Sequence, residues 1–126
     1  MTRAARTARR PERPERPERP DSRSATTPPI PVAGDSEEAK RVAMRLVDDT
    51  GFDPYDAGAL ADSWRQQPMG PAYCTELTLD ELPAALAAAD RVKDAAVRDS
   101  MGERFAALGA DPTLEAVVEM NRAAHR

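Results

Sequence analysis

The chain is 126 residues long, about the size of one domain, and its net charge of −4 averages two unlike parts. Residues 1–24 hold eight arginines and four acids, a net of +4, while residues 25–126 hold ten basic and eighteen acidic residues, a net of −8. No run of about 18 apolar residues exists to span a membrane, and the single Cys74 excludes an internal disulfide and fits a reducing cytoplasm.

The first predicted region is an Arg/Pro-rich arm over residues 1–29. It contains "RPERPERPERP", a three-residue repeat from Arg10 to Pro20, and seven of the twelve prolines lie in the first 31 residues. Proline at every third position forbids a helix interior, so a disordered or polyproline-like arm is expected. Two uses are open to it: a basic arm for anionic surfaces, or a solvated tail. Each Glu of the repeat cancels an Arg and no aromatic is interleaved for stacking, which favours the tail and predicts no nucleic-acid partner. The "ARR" near the start is followed by no apolar stretch, so it does not make an export signal.

A folded region is predicted over residues 30–126, divided into a βαβ unit at 30–57 and a helical part at 59–126. "IPVA" opens it as a short strand. In "GDSEE", Asp35 is placed to cap a helix and Glu38 to complete a capping box. Ala39, Val42, Ala43, Leu46 and Val47 then recur on one helical face, and Gly51 stops the helix. "FDPYDA" reads as a second strand at 52–57, with Pro54 pointing to an edge. Two parallel strands joined by a right-handed crossover leave an unpaired edge and an uncovered face. The unit therefore reads as a remnant of a Rossmann-like parallel sheet, to be completed by another chain or by a second copy.

Beyond the second strand the pattern is helical. Residues 59–65 form a short predicted helix, ended by "QQPMGP". Another is predicted to start at Asp80 with Pro83 in its first turn. Leu82, Leu86, Ala89 and Val92 keep its period, which resumes at Met101, Phe105 and Leu108 after a slip near Ser100. A last helix takes Asp111 as its cap and Pro112 as its first residue, with Leu114, Val117 and Val118 on its apolar side. The fold class is α/β: a βαβ remnant followed by a mainly α-helical carboxyl part.

Over "VDDTGFDPYDAGALADSWRQQPMGPAYCTELTLDELPAALAAADR" the chain resembles the carboxyl half of bacterial dinucleotide-binding oxidoreductases related to the NADP-dependent reductase of the deazaflavin coenzyme F-420. The features that carry the likeness are the "VAGD" strand exit, "GFDPYDAG" followed by a leucine, "SWRQQP" and "YCTEL". The resemblance implies NADP(H), and with it the deazaflavin, as coenzymes, and a small-molecule substrate. Those relatives begin with a glycine-rich turn that seats a pyrophosphate at a helix N-terminus. Here no two of the six glycines are closer than seven positions, so G-x-G-x-x-G does not occur. The expectation is a truncated, substrate-side half, inactive alone; the alternative is a non-catalytic module that docks on a partner or on itself.

The resemblance makes Asp56, Gly58 and Leu60 candidates for lining the nicotinamide or substrate side. Their other reading is turn chemistry, with Gly58 at positive φ and Asp56 capping the next helix. Trp64, Arg65 and Gln66 are candidates for contacting a planar coenzyme by stacking and hydrogen bonding; alternatively Trp64 anchors the short helix on the core and Arg65 is solvated. No metal site and no catalytic side chain are expected. Cys74 has neither a histidine nor a second cysteine near it, and His125, the only histidine, stands next to the last residue. The Glu37–Glu38 pair suits a helix N-terminus and the Asp48–Asp49 pair opposes the dipole.

Overall fold

The computed structural model describes residues 27–126, so the predicted arm lies, as far as residue 26, outside the described residues. Two strands, β1 (Pro29–Val32) and β2 (Asp53–Asp56), pair in parallel, with Pro29 opposite Asp53 and Val32 opposite Asp56. The pairing continues past the strand ends through Ala57 N–H to Val32 O at 2.8 Å and Gly34 N–H to Gly58 O at 3.0 Å. Helix α1 (Glu37–Asp49) makes the crossover and packs against both strands. The expected βαβ unit followed by helices is the observed α/β architecture.

The cap of α1 is Ser36, whose hydroxyl accepts from Ala39 N–H at 3.2 Å. Asp35, expected in that role, instead accepts from Leu60 N–H at 3.0 Å. Both residues are good caps, and the long-range bond to the chain leaving β2 decides between them. At the other end Gly51, at φ +98°, takes the left-handed conformation that ends the helix. The predicted apolar face is only half covered: Val42 is 47 % and Leu46 61 % exposed, and the one buried residue of α1 is Lys40.

The short helix expected over 59–65 is a 3-10 helix at Leu60–Gln66. Its N-cap position is Ala59, which has no side-chain acceptor for the first N–H groups, and Pro68 stops elongation two residues beyond its end, so only a short tight turn forms. The next helix is entered by a reciprocal box that is absent from the predicted caps. Thr78 N–H donates to Glu81 Oε2 at 2.8 Å and Glu81 N–H to Thr78 Oγ1 at 3.4 Å. Helix α2 then spans Leu82–Ala87, with Pro83 in the first turn as expected but starting two residues after Asp80.

The single helix predicted through Val92 is two. Asp90 draws the N–H groups of Val92 and Lys93 onto its carboxylate at 2.9 and 2.8 Å, and this cap starts α3 (Arg91–Asp99). Val92 consequently faces solvent, 81 % exposed. The slip near Ser100 is real and separates α3 from α4 (Met101–Leu108). The last helix, α5 (Leu114–Ala123), is capped by Thr113, whose hydroxyl accepts from Ala116 N–H at 3.2 Å; Asp111 lies too early for the task.

Apart from Pro29 of β1, the buried apolar side chains among the described residues come from the helical part: Met69, Leu82, Leu86, Val97 and Val118. The core thus sits among the 66–71 turn, α2, α3 and α5, and the βαβ unit lies at its side with Ile30 and Phe52 partly exposed. No helix among the described residues is long and apolar enough to cross a membrane.

Candidate functional site

At the carboxyl ends of the two strands the chain builds a charged turn. Asp56 Oδ1 accepts from Gly58 N–H at 2.9 Å, the Asx turn expected of an Asp two residues before a glycine. Gly58 adopts φ +87°. The same carboxylate receives Lys40 Nζ at 2.9 and 3.1 Å, and Lys40 also meets Glu37 Oε1 at 2.8 Å. The bond from Gly58 first, and the Lys40 ammonium second, hold the Asp56 carboxyl below its ordinary value of 3.8. The hydrogen bonds of Glu37 and then Asp56 hold Lys40 above 10.5.

Lys40 reaches this position because Gly34 has no side chain. A Cβ there would stand 3.2 Å from Lys40 Cγ, so the lysine stem lies along the strand exit while its ammonium emerges at the sheet end. Sequence periodicity places Lys40 on the polar side of α1; only the glycine two residues before the cap could signal a stem threading under the turn. Asp56 is therefore engaged from two directions, and Leu60 beside it is exposed.

Trp64 is partly buried and carries two guanidinium groups over its ring, Arg65 at 4.6 Å and Arg91 at 4.5 Å from the centroid. Arg65 also donates to Leu86 O at 3.3 Å, a carbonyl in the last turn of α2, where cations are favoured. Both residues thus join the 3-10 helix to α2 and α3, which matches the packing reading of Trp64 and replaces the solvated reading of Arg65.

Gln66 stands elsewhere. It borders a cleft of about 390 Å³ between Pro28, Pro29, Ile30 and Pro31 on one side and the 72–77 loop on the other, with Leu82 beneath. The cleft runs along β1 as far as Pro31, which pairs with Tyr55, whereas Asp56 and Gly58, one and three positions further along the chain from Tyr55, are not among its lining residues. The six candidates are accordingly not gathered into one site. The Nε2 of Gln66 is buried and has no hydrogen-bond partner among the described residues.

The far wall of the cleft is backbone held under strain. Cys74 and Glu76 sit at φ +48° and +49°, uncommon for non-glycine residues. Helix α5 fixes them: Asn121 Nδ2 donates to Cys74 O at 3.1 Å, and Arg122 donates to Thr75 O at 2.8 Å and to Glu76 O at 3.2 Å. Over-determination of this kind is what lets a strained loop persist. On the other side of the loop, Tyr73 and Cys74 border an apolar groove of about 340 Å³ with Met101, Phe105 and Val117. The charge of an ionised Cys74, then its hydrogen bond, push the Tyr73 phenol above 10.0.

A buried polar pair carries no signal in the sequence. Asp94 is 1 % exposed; its Oδ2 accepts from Asp90 N–H at 3.0 Å, and its Oδ1 lies 4.0 Å from His125 Nδ1. His125 Nε2 donates to Met69 O at 2.9 Å, since a carbonyl can only accept. The final histidine, a tail residue by its position, instead ties the end of the chain to the 66–71 turn.

A parallel βαβ unit with a polar turn beyond its strand ends, continued by helices, places the chain among α/β proteins, in which ligands bind outside the carboxyl ends of strands. More narrowly, it belongs to the family of protein YjhV of Escherichia coli (strain K12), to which it is 41 % identical over 93 residues, 74 % of this chain and 68 % of that protein. The name of that relative specifies no activity. No protein-family model matches the chain, and no solved structure matches it.

Proposed function

We propose that the chain is the substrate-side half of an NADP-linked oxidoreductase of the deazaflavin-reductase type, working when a nucleotide-binding half completes its sheet. The observation that carries this reading is the open pair of parallel strands. Parallel sheets are ordinarily covered on both faces and built from more strands, yet here β1 and β2 stand alone among the described residues, with Ile30 and Phe52 partly exposed. The resemblance carried by "GFDPYDAG" and "SWRQQP" supplies the class of reaction, and the Lys40–Asp56–Gly58 turn lies at the end of the sheet where such proteins receive ligands. Hydride transfer asks the protein to position two carbons and supplies no need for a protein nucleophile.

The test is purification of the tagged full chain with whatever remains bound to it, followed by NADPH binding and deazaflavin reduction, read as loss of NADPH absorbance. The chain alone is expected to show no melting shift with NADPH; the complex is expected to bind it and to pass hydride. Tight NADPH binding by the chain alone, or a complex with no NADPH affinity, refutes the reading.

A second reading, a non-catalytic module that self-associates, is favoured by one observation: Val42 and Leu46 of α1 are both exposed on the same face. Sedimentation equilibrium separates the two. A tight dimer dispersed by Leu46→Glu, with no NADPH-binding complex recovered, supports the second.

A further inference from the structure

We propose that the cleft between residues 28–31 and the 72–77 loop is a binding site for a small, neutral ring compound that carries a hydrogen-bond acceptor. The proposal stands independently of the oxidoreductase reading, and the residues of the Asp56–Gly58 turn do not line the cleft.

The shape and lining argue for the ring. About 390 Å³ is within the range of small-molecule sites and too small for a dinucleotide. Its lining is mostly apolar: prolines 28, 29 and 31 and Tyr73 carry flat rings, with Ile30 and Leu77 beside them and buried Leu82 beneath. Flat apolar faces of this kind favour a planar guest by burial and by offset stacking.

Charge argues for neutrality. None of the lining residues is Lys, Arg or His, and Glu76 contributes a carboxylate. The Arg122 guanidinium nearby is already committed to Thr75 O and Glu76 O. A phosphate or carboxylate entering here would meet like charge and no counter-charge among the lining residues, which separates this cleft from any site for a nucleotide.

The acceptor is argued from Gln66. Its amide nitrogen is buried and makes no hydrogen bond to any described residue, an arrangement native proteins rarely leave without a purpose. Gln66 borders the cleft and the terminal torsion of glutamine is soft, so rotation about it can turn the N–H groups to a guest. A carbonyl on that guest would give the amide the partner that the chain does not. Pre-organisation completes the case: the strained Cys74 and Glu76 backbone is pinned from behind by Asn121 and Arg122, so the wall is in place before a ligand arrives.

The experiment uses the isotope-labelled full chain and a matched pair of probes, naphthalene carboxamide and the corresponding naphthoate, followed by amide chemical shifts and by protection of Cys74 from iodoacetamide. The carboxamide is expected to saturate a site whose shifts centre on Ile30, Thr75 and Leu77, to slow alkylation of Cys74, and to bind at least about tenfold more tightly than the naphthoate. Gln66→Leu, which keeps the volume and removes the donor, should weaken the carboxamide about tenfold. Ala72→Phe, which fills the cleft from its wall, should abolish binding and serves as the control if the Gln66 variant does not fold. Equal or tighter binding of the naphthoate, shifts centred on Phe105 and Val117, no saturable binding of the carboxamide, or unchanged affinity in the variants overturns the proposal.

Discussion

Replacing Leu82 and Leu46 by alanine, one at a time, tests where this protein keeps its stability. Leu82 is 2 % exposed, in the core beneath the cleft, whereas Leu46 on α1 is 61 % exposed. Truncating a buried leucine removes its transfer free energy and leaves a cavity, together costing about 2–5 kcal/mol. With few buried apolar side chains among the described residues, the total stability is expected at the low end of the about 5–15 kcal/mol typical of domains, so Leu82→Ala removes a large part of it. At Leu46 most of the side chain is already in water, and alanine is the better helix former, so the cost should stay within about 0.5 kcal/mol. In urea, at an m-value of about 1.5 kcal/mol per molar, a loss of about 3 kcal/mol lowers the midpoint by about 2 M for Leu82→Ala, with almost no shift for Leu46→Ala. Circular dichroism at two protein concentrations reads both. Equal costs would refute the placement of the core among the helices; a Leu46 cost that appears only at high concentration would show α1 covered by a second copy.

Thr113→Ala should cost about 1 kcal/mol by removing the cap of α5, and Asp111→Ala less than about 0.5 kcal/mol, as chemical denaturation can measure; the reverse order would restore Asp111 as the cap. Acid should destabilise the fold through Asp56, Glu81 and Asp90, whose carboxyls are held below their ordinary values, for Asp90 by the N–H groups of Lys93 and Val92. A depressed carboxyl stabilises fully above its unfolded value, 3.8 for Asp and 4.5 for Glu, and this is lost as pH falls through the folded one. Asp90→Asn keeps a capping oxygen without that titration, so its melting temperature should fall less steeply below about pH 4 than that of the parent. Gly58→Ala should cost about 1–2 kcal/mol through its φ of +87° although nothing crowds the added methyl, and the same urea titration checks it.

Much of this architecture is readable as local chemistry. Gly51 ends α1 and Gly58 turns after Asp56 because a positive φ is cheap only for glycine, a property of one residue and its neighbours. Pro83 marks the first turn of α2, and the pair of strands around an amphipathic helix announces βαβ. Caps are harder wherever two suitable residues compete: Asp35 loses to Ser36 because Leu60, 25 residues away, draws its carboxylate. The break before α3 is hidden because alanines give no signal, and the Asp90 cap overrides a period that runs through Val92.

What the sequence determined alone is the βαβ unit and the helical character of the rest, since propensity, capping and glycine act within a few residues, whereas the break before α3 and the 3-10 form at Leu60–Gln66 were not legible in it. The tertiary structure decided what each candidate residue does. It brought Lys40 under Gly34 to hold Asp56, laid Arg91 over Trp64, set Asp94 beside His125, and opened a cleft beside Gln66 between β1 and the 72–77 loop. Those pairings join residues 16 to 31 positions apart, or walls from separate elements, and no local pattern records which distant groups meet when helices pack.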